Sequence, residues 1–286
     1  MNCKRCLWNV AEWSNRKFHF GIGLGKKRKC VVHEHPLISI IVASYNYAHF
    51  ISETISSLLD QTYTNFEIIV VDDGSQDESL EVIGRFVAMD NRVHLFMHSD
   101  NANHGLPQTL MLGLSHAMGE YVAFCESDDL WLPDHLKEKV LMINKYNDVA
   151  IISNDIELFG DEEQMQRQYI PYLNLIKRRV HPNGCFVNLK RRPRVNVIPT
   201  FSCVMVRRDV LMTLDFNSPI AAWTDFWLWR QVLARHLLFY VDKPLTRWRV
   251  HQKSYNDTTN KYFDKYMAEF LSQSNQLVEQ QRNSWL

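Results

Sequence analysis

The sequence is poor in the residues that break or staple a chain. Glycine and proline number only 10 and 9 in 286 residues, which excludes a collagen-like or low-complexity chain and argues against general disorder. Six cysteines scattered through a mid-sized chain do not make a disulfide framework. No apolar run approaches the roughly 18 residues of a transmembrane helix. No continuous apolar stretch leads to a small-residue cleavage site, so no signal peptide is read. Together these absences give the expectation of a cytoplasmic protein. Net charge is missing as well, since 32 Lys and Arg balance 32 Asp and Glu. No global field therefore favours nucleic acid as a partner.

What charge there is lies unevenly. Lys4, Arg5, Arg16, Lys17, Lys26, Lys27, Arg28 and Lys29 precede residue 31 against Glu12 alone, and Lys177, Arg178, Arg179, Lys190, Arg191, Arg192 and Arg194 form a second basic stretch. Residues 1–35 show no strand or helix period and read as an extension, mobile and separate from the fold. Their mixture of cations with Trp8, Trp13, Phe18 and Phe20 fits either a solvated arm or a peripheral contact with an anionic membrane surface, such as the inner face of the membrane. Cys3, Cys6, Cys30 and His33 offer three thiolates and an imidazole, a permissive zinc spacing; free cysteines in a mobile arm are the competing reading.

From Pro36 the texture changes. Ile38 to Ala43 is a β-branched run of the kind buried on both faces of a sheet. Ile51, Ile55, Leu58 and Leu59 follow at helical spacing. Further strands are expected at 67–71, 93–97 and 121–125, with helices over about 77–89 and 106–118. This alternation predicts an α/β fold with a mainly parallel sheet. The second half is less regular, with candidate strands at 149–152, 203–206 and 238–241. Residues 160–197, polar and weakly periodic, read as an insertion or mobile loops. In a tail beyond residue 251, Phe263, Tyr266, Met267, Phe270 and Leu271 share one helical face.

Ligands collect at the carboxyl ends of parallel strands. Three predicted strands deliver polar residues there: Ser44-Tyr45-Asn46, Asp72-Asp73-Gly74-Ser75 and Glu126-Ser127-Asp128-Asp129. A tyrosine ring stacks on a base, a carboxylate accepts an imide N–H, and paired carboxylates hold a hard cation. Any one of these Asp residues alone reads equally as a turn former or helix cap; three groups at one edge point to a site.

Pro36 to Asn46, Ser57 to Tyr63, Val70 to Asp77, and Gly119-Glu120-Tyr121 leading into Ser127 to Pro133 resemble, in order, the motifs of family 2 inverting glycosyltransferases with the GT-A fold. The resemblance covers roughly residues 36–251. It implies a GT-A fold: a mainly parallel nucleotide-binding sheet followed by a mixed acceptor-binding half. It implies transfer of a sugar from a nucleotide-diphosphate donor, with uridine favoured, to a glycan or glycolipid acceptor in polysaccharide or glycolipid assembly. The cofactor would be a divalent metal, Mn2+ or Mg2+.

By the same resemblance, Ala43 and Tyr45 lie beside the base and Asp73 binds it, while Asp72 is structural. Glu53 helps hold the nucleotide pocket together. Asn103 and Gly105 belong to a nucleotide-contacting loop. Asp128 touches the ribose or the metal shell, Asp129 is the direct metal ligand, and His251, in Arg249-Val250-His251, completes the shell or meets the diphosphate. Packing is the other reading of His251. Where the family often carries an Arg for the diphosphate, this chain has Gln108 and Thr109. Asp225, in Trp223-Thr224-Asp225-Phe226-Trp227, matches the general base, although the family's preceding Glu is Thr224 here; a helix N-cap is the alternative. Two rival functions are a non-catalytic GT-A-like subunit that binds a nucleotide sugar or glycan, and a nucleotidyltransferase. The latter would want a Gly-rich, Arg/Lys-bearing phosphate loop after the first strand, where the chain reads Ala43-Ser44-Tyr45-Asn46-Tyr47.

Overall fold

A computed structural model describes residues 35–146, 149–177, 185–187, 196–220, 223–251 and 263–283. The extension before residue 35, with the Cys3/Cys6/Cys30/His33 set, lies outside the described residues. Apolar residues on both faces of short β-branched runs set the architecture. Strand β1 (Ile38–Ser44) pairs in parallel with β2 (Phe66–Asp72) on one side and β4 (Tyr121–Glu126) on the other, and β3 (Val93–Met97) extends the sheet beyond β2. Side chains alternate between faces along each strand. Ile38, Ile40 and Val42 pack with α1 (Ala48–Leu59), α2 (Ser79–Met89) and α4 (His135–Lys145), whereas Ile41 packs with α3 (Leu106–His116). Two cores therefore sandwich one sheet, which is why the strands read as continuous apolar runs rather than alternating ones.

The sheet has nine strands in the order β3-β2-β1-β4-β8-β6-β9-β5, with β7 (Cys185–Val187) beside β9. Strand β8 (Val204–Arg207) runs antiparallel to both β4 and β6 (Ile151–Gly160), so the second half of the sheet is mixed. Strand β9 (Leu238–Val250) is far longer than the expected 238–241. Its first part pairs with Ile151 to Asn154 of β6; after a register shift its second part continues to Gly160 and also takes β5 (Leu130–Trp131). This bend carries Arg249 and the following His251 to the acidic end of β4.

The expectation of loops throughout 160–197 is corrected for its first half. Glu162–Gln164 opens a helical segment that passes through a π-helical stretch, Met165–Tyr169, into α5 (Ile170–Lys177). Tyr169, Leu173 and Ile176 of this segment are buried in the core. The polar residues on its outer face had masked that apolar stripe. Helix α6 (Thr224–Leu233) is buried along nearly its whole length. The C-terminal helix α7 (Phe263–Asn283) packs on it through Phe270, Met267 and Leu271. Arg230 of α6 anchors this contact, donating to Ser274 Oγ at 2.6 Å and to Asn275 Oδ1 at 2.7 Å.

Candidate active site

Helices α1 and α2 cover one face of the parallel half and α3 the other, so the crevice opens where the connections diverge, between the ends of β1 and β4. A cleft of about 940 Å³ occupies this place, and Ala43, Tyr45, Asp73, Asn103, Gly105, Asp128 and Asp225 all line it. Seven of the ten residues singled out from sequence thus come together. Glu53, Asp129 and His251 are not in the lining but are tied to it through Asp128 and Arg249. Glu53 accepts from an Arg249 Nη at 2.6 Å, and Arg249 Nε donates to the Asp128 carbonyl at 2.7 Å. His251 Nε2 meets Asp128 Oδ2 at 2.9 Å.

At the ends of β1 and β2, Asp72 and Asp73 take different partners. Asp72 accepts from the Ser75 N–H at 2.8 Å and its hydroxyl at 2.6 Å, closing the turn after β2. Asp73 accepts from the backbone N–H groups of His104 at 2.7 Å and Gly105 at 2.9 Å, which draws the 101–105 loop over the strand end. Gly74 is needed there: its φ is +80°, and a Cβ would stand 2.8 Å from the Ala102 carbonyl carbon. Tyr45 is exposed, with its ring available to a ligand. Of Gln108 and Thr109, Thr109 is in the lining.

The acidic end of β4 holds three carboxylates, Glu126, Asp128 and Asp129, each offering an oxygen within 4.8 Å of the others. Burial, then Asp129, Asp128 and Asp225, hold the Glu126 carboxyl well above its ordinary range. Burial, then Asp128, does the same to Asp129. Hard oxygen donors in mutual repulsion are the donor set that suits Mg2+ or Mn2+. Asp129, expected as the direct ligand, is fully buried and already engaged: Ser202 Oγ donates to it at 2.5 Å and the Arg249 N–H at 2.9 Å. It is Glu126 and Asp128 that face the cleft. Glu126 was quoted in the strand-end motif but given no role; its position two residues before Asp128 was the available signal.

At the other end, Asp225 sits in the first turn of α6. The N-cap is Trp223, with no side-chain cap bond, so Asp225 is not the cap. Its Oδ1 accepts from the Phe226 N–H at 2.6 Å and its Oδ2 from Asn196 Nδ2 at 2.6 Å. Burial pushes its pKa up to about 7 against these bonds, which favour the ionised form. Of the nearby tryptophans, Trp227 and Trp229 are core residues, while Trp223 lines the cleft. Tyr172, Phe226, Trp248, Leu175 and Met267 complete an aromatic and apolar wall. Among the described residues the lining carries Asp73, Glu126, Asp128 and Asp225 and no Lys, Arg or His.

Comparison with known proteins places this geometry. The model of glycosyl transferase family 2 matches residues 39–215. The chain belongs to this family. Among its relatives, the UDP-Glc:alpha-D-GlcNAc-diphosphoundecaprenol beta-1,3-glucosyltransferase WfgD of Escherichia coli is 29% identical over 201 residues, covering 69% of this chain and 70% of that protein. A putative teichuronic acid biosynthesis glycosyltransferase of Bacillus subtilis, TuaG, is 35% identical over 105 residues, 37% of this chain and 41% of that one. Staphylococcus aureus TarS, solved with UDP-GlcNAc, superposes with a TM-score of 0.60 at 18% identity, covering 84% of this chain and 70% of the TarS chain. The mannosyltransferase PcManGT of Pyrobaculum calidifontis, solved with GDP-Man and Mn2+, gives a TM-score of 0.57 at 20% identity, covering 78% and 60%. At those identities the structural likeness establishes the GT-A fold. The family 2 chain is accordingly a glycosyltransferase, and among its described residues no helix is long and apolar enough to cross a membrane.

Proposed function

We propose that this glycosyltransferase inverts configuration, moving a sugar from a nucleoside-diphosphate donor, with uridine as the base, to a hydroxyl of a glycan or glycolipid. One observation carries the reading: a single cleft joins the Tyr45–Asp73 end to Asp225, with the acidic end of β4 between them. Asp225 takes the proton of the acceptor hydroxyl. That oxygen bonds to the anomeric carbon from the face opposite the nucleotide as the bond to the diphosphate oxygen breaks, so the configuration inverts and nucleoside diphosphate departs. Glu126 and Asp128, backed by Asp129, would hold a divalent cation, Mn2+ or Mg2+, which neutralises charge on the diphosphate when bound. A lining with four carboxylates and no cationic side chain among the described residues supports this need. His251 orients Asp128, and Glu53 keeps Arg249 against the Asp128 carbonyl.

Uridine is supported by Asp73 beside Tyr45 in the cleft, by a relative named for UDP-Glc and by a structural neighbour solved with UDP-GlcNAc. The aromatic wall beside Asp225 suits the apolar face of a sugar or the aglycone of a glycolipid. With a glycolipid acceptor, the protein would work at the inner face of the membrane. The deciding experiment is a donor screen with Mn2+ or Mg2+ present, following nucleoside diphosphate release and the anomeric configuration of the product. UDP release with an inverted product is expected. Pyrophosphate release or retained configuration would refute the reaction; tighter calorimetric binding of GDP than UDP would refute the base assignment.

A further inference from the structure

Asn196 stands out once the hydrogen bonds around Asp225 are traced. Its side-chain orientation is set by its partners: Oδ1 accepts the Ile198 N–H at 3.2 Å, so the amide NH2 must face Asp225, donating to Oδ2 at 2.6 Å. The Asn196 backbone carbonyl in turn accepts from Tyr172 Oη at 3.2 Å. The residue therefore ties α5 to the first turn of α6 from a position 29 residues before Asp225. The other carboxylate oxygen accepts its own helix's Phe226 N–H at 2.6 Å. Among the described residues, Asn196 is the one side chain that donates to this carboxylate. Both Asn196 and Asp225 line the cleft.

We propose that Asn196 is a positioning residue for the base: it fixes the rotation of the Asp225 carboxylate about its Cβ–Cγ bond and holds it ionised toward the acceptor hydroxyl. This rests on the reading of Asp225 as the base. A carboxylate withdrawn from water needs donors to stay ionised. With one oxygen pinned by a backbone N–H and the other by Asn196, each keeps lone pairs for an incoming hydroxyl. Among the described residues, the titratable groups that interact with Asp225 are Glu126 at the end of β4 and Tyr172 on α5. Replacing Asn196 alters neither of them covalently, so a changed pH dependence reports on the Asn196 bond.

The test uses the full chain with Mn2+ and UDP-sugar. Asn196→Leu keeps the bulk and removes the donor; Asn196→Gln keeps a donor on a longer arm; Tyr172→Phe removes the hydrogen bond to the Asn196 carbonyl while both donors to Asp225 stay in place. For Asn196→Leu, kcat should fall on the order of 10–100-fold, the worth of a hydrogen bond to a charged group. The donor KM should stay unchanged, and the acid limb of kcat/KM should move to higher pH. Asn196→Gln should recover part of the loss, and Tyr172→Phe should give a smaller shift in the same direction with an intact melting transition. In an Asp225→Asn background, Asn196→Leu should cost nothing further. Wild-type kcat and pH profile in Asn196→Leu, or a full additional loss on top of Asp225→Asn, overturns the proposal while leaving the base reading standing. Activity retained by Asp225→Asn alone removes both.

Discussion

At the scale of single residues, the proposed chemistry rests on carboxylates held where they do not prefer to be charged. Asp225 has a raised pKa because burial outweighs its two donors. In the proposed reaction its ionised form takes the acceptor proton, so kcat/KM should climb through about pH 7. Asp225→Asn should lower turnover by roughly 10²–10⁴-fold with donor binding unchanged by calorimetry. The same shift has a stability sign. The folded state binds this proton more tightly than the unfolded chain, so stability falls as pH rises from about 4 toward 7, and the penalty is fully present above that. Asp225→Asn should therefore melt higher than the parent at pH 8, with the gap closing toward pH 4; a constant gap across pH would remove the linkage. The neighbouring pair makes a second prediction. Asp128→Ala should abolish metal-dependent nucleotide binding while the fold survives, because this carboxylate faces the cleft. Asp129→Ala should lower the melting temperature first, because it strands the Ser202 hydroxyl and the Arg249 N–H inside the protein. An Asp129→Ala protein with parental stability but no metal binding would restore Asp129 as the direct ligand.

At the scale of elements, three pieces outside the parallel half build the Asp225 end of the cleft: the helical segment from Glu162 through α5, helix α6, and helix α7. The first lay hidden in a stretch read as loops, because Tyr169, Leu173 and Ile176 are separated by exposed polar residues and the π-helical stretch disturbs the period. The last was visible as an apolar face over 263–271, but nothing local said what it would cover. Its docking depends on the buried Arg230 guanidinium reaching Ser274 and Asn275. Replacing both partners with Ala should cost roughly 1.5–3 kcal/mol for each bond, a fall of several degrees in Tm. Since Met267 of α7 lines the cleft beside Asp225, the same double variant should raise the acceptor KM and leave UDP affinity alone. Unchanged acceptor kinetics in a destabilised protein would show that α7 serves only the fold.

At the scale of the whole molecule, the cleft gathers acids from both halves without a cationic side chain among its described lining residues, so the folded state is under electrostatic load that a bound cation relieves. Mn2+ at about a hundredfold excess over its Kd should stabilise the protein by about 2.7 kcal/mol, a rise of roughly 5–10 °C in Tm. UDP should bind weakly in excess chelator. Full-strength UDP binding without metal would overturn the assignment of Glu126 and Asp128. The sequence alone determined the parallel half and most of the cleft floor. There the signals are local: β-branched runs mark strands, and polar residues directly after them must fall at the strand ends, where Tyr45, Asp73 and Asp128 are found. Only the tertiary structure decided which member of Asp128-Asp129 lines the cleft, since adjacent residues leaving a strand point in different directions and neither composition nor spacing names the one outside. It also decided the Asn196–Asp225 bond, the bend of β9 that delivers Arg249 and His251, and the seat of α7. Each of these joins residues far apart in the chain, so each is fixed by packing and by the need to partner buried polar groups rather than by any local pattern.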